Sequence, residues 1–150
     1  MGVDWYAAIA KAMAVQVLLV DDHDDTRRRL SQRLRRSRTV ELIAAVANAD
    51  EAKSVLARQQ VDIVLLDLHR HDAGGLELSR MLRGLTCVPI VALTSFMTPE
   101  LWSAARAAGI ADYLLKHVDT QRLGREIERL AQRYRSDAPL HSAAGQETGG

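Results

Sequence analysis

The sequence predicts an α/β domain built on a five-stranded parallel sheet, doubly wound so that helices cover both faces and make three layers. Three observations carry this. Short β-branched, apolar runs begin at Val15, Val40, Val61, Val88 and Ala111. The intervals of 25, 21, 27 and 23 residues each suit one strand plus one crossover helix. VQVLLV, VDIVLL and VPIVAL are apolar without alternation, as strands covered on both faces are, whereas VELIAAV and ADYLL are more mixed and belong nearer the edges. Right-handed crossovers then place successive helices on the two faces.

The elements follow from local signals. Residues 1–14 read as an N-terminal extension, helical, capped by Asp4, with Trp5, Ile9 and Met13 on one face. That face is expected to lie as a flap on apolar surface of the domain, the alternative being a dedicated helix for a partner. The domain itself spans residues 15–135. Its first helix carries an apolar seam of Leu30 and Leu34, and the seven arginines between Arg27 and Arg38 fill its outer face; without interleaved aromatics they read as a solvated face rather than a nucleic-acid site. Thr98 and Pro99 make an N-cap and first-turn pair. Gly109 suits a helix C′ position. Asp119 can cap a last helix whose apolar positions Leu123, Ile127, Leu130 and Tyr134 recur at helical spacing. Residues 136–150 are small, polar and Gly-rich, and read as a flexible linker or tail.

Composition excludes several classes. Twenty basic against 19 acidic residues leave a net charge of +1, so no overall field draws the chain to nucleic acid or anionic lipid. Cys87 is the only cysteine, which excludes an internal disulfide framework and a multi-Cys zinc cluster, and suits a reducing, cytoplasmic setting. No apolar run approaches the ~20 residues that span a bilayer, and the N-terminus lacks the basic start of a secretory signal. No membrane association is expected.

In a doubly wound sheet, ligands bind beyond the carboxyl ends of the strands. Those ends hold Asp21 and Asp22, Asp67, Thr94 and Ser95, and Lys116. Three carboxylates on one rim repel one another and need a cation. A hard ion, Mg2+, suits carboxylate and carbonyl oxygens, and no His or Cys ligand set is expected to compete for zinc. Lys116 supplies a point charge for a phosphoryl oxygen and Thr94 a hydroxyl, so the set suits phosphoryl transfer onto Asp67.

These residues resemble the receiver domains of two-component response regulators, a flavodoxin-like (βα)5 family. The resemblance covers residues 15–134 and rests on the acidic pair in VLLVDDHDDTRRRL, the aspartate in VDIVLLDL, the hydroxyl in VALTS and the lysine in DYLLK. Asp67 follows Asp22 by 45 residues, Thr94 follows Asp67 by 27, and Lys116 follows Thr94 by 22, all within receiver spacing. VDDH and YLLK look most like the NarL/FixJ (LuxR-type) subgroup, whose members usually carry a helix-turn-helix output domain and regulate transcription.

The resemblance implies that Asp67 accepts a phosphoryl group from a sensor histidine kinase. It implies that Asp22, Asp67 and the main-chain carbonyl of His69 ligate Mg2+, with Asp21 acting through a water. Thr94 and Lys116 would hold phosphoryl oxygens, Thr94 and Tyr113 would form the switch, and His69 and Phe96 would gate the water that sets the lifetime of the phosphorylated state. A homodimer formed on phosphorylation is in keeping with this, and DNA would be reached only through an output domain outside these residues; the chain is either a stand-alone receiver or a piece of a longer regulator.

Two departures stand out. Arg70 and His71 replace the usual Met-Pro pair, so the loop beside Asp67 is expected to be more mobile. His117 stands where a proline usually follows the lysine, leaving the geometry there open. The competing readings are a pseudo-receiver that docks or dimerises without phosphate, and a haloacid-dehalogenase-type phosphatase. The second is opposed by His69 standing where that motif needs an aspartate. His69 and His71 are otherwise expected to be solvated loop residues.

Overall fold

The structure, a computed structural model, describes residues 4–69 and 73–148, and the side chains of these apart from 10–12 and 137–148. Eleven elements follow in order: α1 Trp5–Met13, β1 Val15–Val20, α2 Asp24–Arg36, β2 Val40–Val46, α3 Ala49–Arg58, β3 Ile63–Asp67, α4 Ala73–Arg83, β4 Ile90–Thr94, α5 Pro99–Ala107, β5 Asp112–Leu115 and α6 Thr120–Thr148. The strands form one parallel sheet in the order β2-β1-β3-β4-β5, with the two mixed strands at its edges. The third, fourth and fifth strands begin one or two residues later than their apolar runs. Pro89 cannot donate to a ladder and instead accepts from the Val64 N–H at 2.9 Å. Asp62 uses a carboxylate oxygen to receive the Gln16 N–H at 2.8 Å.

The uninterrupted apolar strands divide their side chains between two cores, because successive residues of a strand point to opposite faces. Val17, Leu19, Ile63, Leu65, Val91 and Leu93 meet Leu30 and Leu34 of α2 and Leu123, Ile127 and Leu130 of α6. Leu18, Val20, Val64, Leu66, Ile90 and Ala92 meet Ala52 of α3, Leu82 of α4 and Ala105 of α5. All three signals at the helix ends hold. Thr98 accepts the Leu101 N–H at 3.0 Å with Pro99 in the first turn, Gly109 has φ 93°, and Asp119 accepts the Arg122 N–H at 3.0 Å.

Two expectations are corrected. Asp4 does cap α1, accepting the Ala7 N–H at 3.1 Å, but its apolar positions are largely exposed rather than covered: Trp5 58%, Ile9 46% and Met13 77%. Only Ala14 separates α1 from β1, too short a link for the helix to fold back over the sheet, and Trp5 stacks instead on Tyr6 at a centroid distance of 4.2 Å. At the other end, α6 continues to Thr148 where a linker or tail was expected from residue 136. Extending a helix already anchored by Leu123, Ile127 and Leu130 requires no new nucleus, although Pro139 withdraws one N–H from its ladder.

Gly124 shows how closely α6 approaches the α2–β2 connection. A Cβ at this position would collide with Ser37 Oγ and lie 3.0 Å from Thr39 Oγ1, and Ser37 is a buried C-cap of α2. Ala is favoured over Gly in a helix by ~1 kcal/mol, yet overpacking costs about 1–3 kcal/mol. Gly124→Ala is therefore expected to lower unfolding free energy in urea denaturation, whereas Gly84→Ala, whose Cβ would meet only Met81 O at 3.5 Å, leaves it nearly unchanged. A Gly124→Ala protein as stable as the parent would contradict this packing.

Candidate functional site

The strand order reverses direction of growth between β1 and β3, and the crevice at such a point is where the sheet presents its carboxyl ends. Asp21 continues the backbone pairing of β1 by one residue, its N–H donating to Val46 O at 3.0 Å, and its side chain is buried. Asp67 ends the central strand and is 2% exposed. Thr94 ends β4, also buried, and its carbonyl accepts the Lys116 N–H at 2.9 Å. The topology thus brings Asp21, Asp67, Thr94 and Lys116 to one rim.

Lys116 Nζ pairs with Asp67 Oδ1, and His69 Nε2 lies 3.0 Å from Asp67 Oδ2 and 3.6 Å from Asp21 Oδ1. His23 caps α2 from the other side. Its N–H donates to Asp21 Oδ1 at 3.0 Å, its Nδ1 pairs with Asp22 Oδ1 at 2.8 Å, and its ring meets that of His69 edge-on at 4.1 Å.

The charge on this rim is incompletely compensated. Lys116 Nζ and His69 Nε2 sit against the two Asp67 oxygens, and Asp21 Oδ2, though buried, has no hydrogen-bond partner among the described residues. Burial pushes the Asp67 carboxyl up to about 6; Lys116 opposes this and the Asp21 carboxyl adds to it. Buried carboxylate oxygens without donors are what a hard cation takes, so the residues present fit a Mg2+ ion.

The geometry differs from the sequence reading in four respects. Asp21, not Asp22, is the carboxylate nearest Asp67, since the Asp22 side chain is 55% exposed and turned to His23. His69 is not a solvated loop residue, because its imidazole is seated against Asp67 and Asp21. The expectation that no histidine set exists is also corrected: donor atoms of Asp21, His23 and His69 lie within 4.8 Å of one another. The two histidines are 46 residues apart and meet only because β1 and β3 are neighbours. Finally, the arginines of α2 are not all solvated. Arg27 donates to Asp21 O at 2.8 Å, and Arg33 donates to Lys116 O at 2.8 Å and Val118 O at 2.6 Å. Arg33 thereby holds the segment after Lys116, where all peptide bonds are trans among the described residues. An i+3 position between Leu30 and Leu34 was the only signal available for it.

The remaining expected residues are placed as follows. Thr94 Oγ1 donates to Phe96 O at 3.0 Å and accepts the Phe96 N–H at 3.3 Å, so the hydroxyl is engaged with its own loop rather than with Asp67. The Phe96 side chain is exposed. Tyr113 is half-buried and meets Trp102 of α5 edge-on at 5.2 Å. Arg70 and His71 lie outside the described residues, and Gly74 and Gly75 belong to the first turn of α4. Cys87 is exposed. No helix among the described residues is long and apolar enough to cross a membrane.

Comparison with known proteins agrees with this architecture. Residues 17–128 match the response regulator receiver domain family, and the chain belongs to that family. It is 36% identical over 118 residues to an uncharacterized response regulatory protein of Yersinia pestis, covering 79% of this chain and 49% of that one. A two-component response regulator of the LuxR family from Aurantimonas sp. shares the fold at a TM-score of 0.65 and 28% identity, over 79% of this chain and 86% of that one. The receiver domain of the putative response regulator NarL from Mycobacterium tuberculosis gives a TM-score of 0.65 at 20% identity, over 79% and 97% of the two chains. The chain spans about half the length of the first curated relatives it matches.

The raised Asp67 pKa has a definite consequence for stability. Burial favours the protonated form of Asp67 in the folded state, raising its pKa from the ordinary 3.8 to about 6, so the folded state loses stability relative to the unfolded chain as pH rises from about 4 through 6. In chelator at pH 7.5, Asp67→Asn is expected to be more stable than the parent, because the desolvated charge is removed. The gain should shrink as pH falls and vanish near pH 4. Equal unfolding free energies at pH 7.5 would contradict the desolvated-carboxylate account.

Proposed function

We propose that this chain is a phosphoacceptor signalling module: Asp67 takes a phosphoryl group from the phosphohistidine of a sensor kinase in a Mg2+-dependent reaction, and the modified rim changes a protein-interaction surface. The observation that carries this reading is the buried Asp67 carboxylate held between Lys116 and His69 with Asp21 beside it.

In this reading an Asp67 oxygen attacks phosphorus in line, and the histidine nitrogen leaves. Asp21, Asp67 and the His69 carbonyl would hold Mg2+, with Asp22 at the outer edge, and the chemistry a bound ion would supply there is charge neutralisation at the phosphoryl oxygens and between the two carboxylates. Lys116 transfers its charge from Asp67 to a phosphoryl oxygen, where a charge-assisted bond is shorter and stronger. His69, at the carboxylate, and Phe96, at the rim, set access for the hydrolytic water. The setting is cytoplasmic, where such a kinase would present its phosphohistidine. Output, whether through a partner, a homodimer or a DNA-binding domain, is read from the surface of α5, β5 and α6.

Incubation with a small phosphodonor such as acetyl phosphate and Mg2+, followed by intact mass measurement, tests the reaction. One phosphoryl group should add to the parent, none in chelator, and none to Asp67→Asn. Undiminished labelling of Asp67→Asn, or no labelling of the parent, would sink this reading; the second outcome would favour a docking domain that works without phosphate.

The switch is a separate matter. Thr94 Oγ1 can exchange Phe96 O for a phosphoryl oxygen, and only a group that binds the dianion better in one conformation can shift the population. Movement of Thr94 opens space toward which Tyr113 can turn from Trp102. Thr94→Ala should still label at Asp67, yet show little change in amide hydrogen exchange over residues 97–134 when a beryllofluoride mimic is added. A response as large as that of the parent would break the proposed coupling.

A further inference from the structure

Mg2+ chemistry accounts for the carboxylates of the rim but uses neither of the two imidazoles that converge on it as a ligand. His23 enters from the start of α2 and His69 from the segment after β3. His23 Nδ1 is 3.5 Å from Asp21 Oδ1, and His69 Nε2 is 3.6 Å from the same oxygen. A tetrahedral ion bound at about 2.0–2.2 Å to nitrogen and oxygen donors needs those donors about 3.3–3.5 Å apart. Two of the three separations therefore already match to within a few tenths of an ångström, and all three donors lie within 4.8 Å. A second feature points the same way: Asp21 is 1% exposed, and its other oxygen, Oδ2, has no hydrogen-bond partner among the described residues.

We propose that Asp21, His23 and His69 form a site for a borderline divalent transition ion of the Zn2+ or Co2+ class, and that such an ion competes with Mg2+ for Asp21. The inference rests on the reading of the rim as a divalent-cation site and adds a chemically different ion to it. Imidazole nitrogen suits such ions, whereas Mg2+ takes oxygen ligands and gives up its water reluctantly. Two imidazoles and one carboxylate leave open positions for water. His69 is the coupling element. When its Nε2 ligates the ion it leaves Asp67 Oδ2, now 3.0 Å away, and Asp21 is withdrawn from the Mg2+ site in the same event. Transition-ion occupancy is then a brake on the phosphoacceptor.

The test uses the full chain, stripped of metal with chelator and dialysed, and Co2+ as the visible-absorbing probe. Co2+ should bind saturably with d–d bands of the intensity of a low-coordinate nitrogen-containing site, and Mg2+ should displace it. His23→Asn retains an N-capping residue at the start of α2, and His69→Gln keeps a polar side chain at the rim. Each is expected to lower the ratio of Co2+ to Mg2+ affinity at least about tenfold and to weaken the bands, with circular dichroism reporting that the fold is kept. A ratio unchanged in both variants, or a parent spectrum of the weak, all-oxygen octahedral kind, overturns the inference. Asp67 labelling with Mg2+ alone is read on the same stripped parent, so that failure is distinct from a failure of the phosphoacceptor reading.

Discussion

A carboxylate at the carboxyl end of the central strand, almost wholly removed from water, sets the terms for the rest of this structure. Asp67 is carried to its position by Ile63–Leu66, all buried between helices, and that burial disfavours its charged form more than any neighbour does. Lys116 reaches it from β5 and His69 from the adjoining segment, yet Asp21 arrives on the same side with an oxygen that no donor among the described residues satisfies. A cation from outside would relieve the repulsion between the two carboxylates, and burial leaves Asp67 with a raised pKa of about 6.

The helices contribute more than cover. Arg33 projects from α2, whose Leu30 and Leu34 are fixed in one core, and its guanidinium spans the carbonyls of Lys116 and Val118. A planar fork of donors suits two carbonyls presented side by side. The backbone behind Lys116 is thereby tied to the first helix of the domain, a constraint that does part of the work a proline at position 117 would do. Arg27 makes a similar tie to Asp21 O. Both anchors run from the same helix to the two sides of the site, so displacement of α2 by a partner would be felt at Asp21 and Lys116 together.

The order of elements, the two-faced burial of the central strands and the convergence of Asp21, Asp67, Thr94 and Lys116 were legible in the sequence, because each depends on periodicity or on a residue's place at a strand end. What was not legible depends on contacts between distant segments. His23 and His69 look like ordinary loop residues until β1 and β3 are paired, and Arg33 is one arginine among seven until the β5–α6 connection is laid over it. The relative depth of Asp21 and Asp22 follows from where the β1 pairing stops, which composition does not reveal. For α1 the amphipathic pattern was real but its burial was not, since a single residue separates it from β1. The helix past Ser136 is the converse case, in which continuity with a packed segment outweighs a composition poor in apolar residues.

The central claim is that the carboxylates of Asp21 and Asp67 share a Mg2+ ion and that Lys116 follows the charge onto whatever is attached to Asp67. A crystal structure of the chain with Mg2+ and beryllofluoride measures this directly. The account predicts beryllium bonded to an Asp67 oxygen, an ion with Asp21 and Asp67 among its ligands, and Lys116 Nζ moved from Asp67 to a fluoride. An Asp67 side chain that carries nothing at saturating Mg2+ and beryllofluoride, with Lys116 still paired to it, would contradict the account.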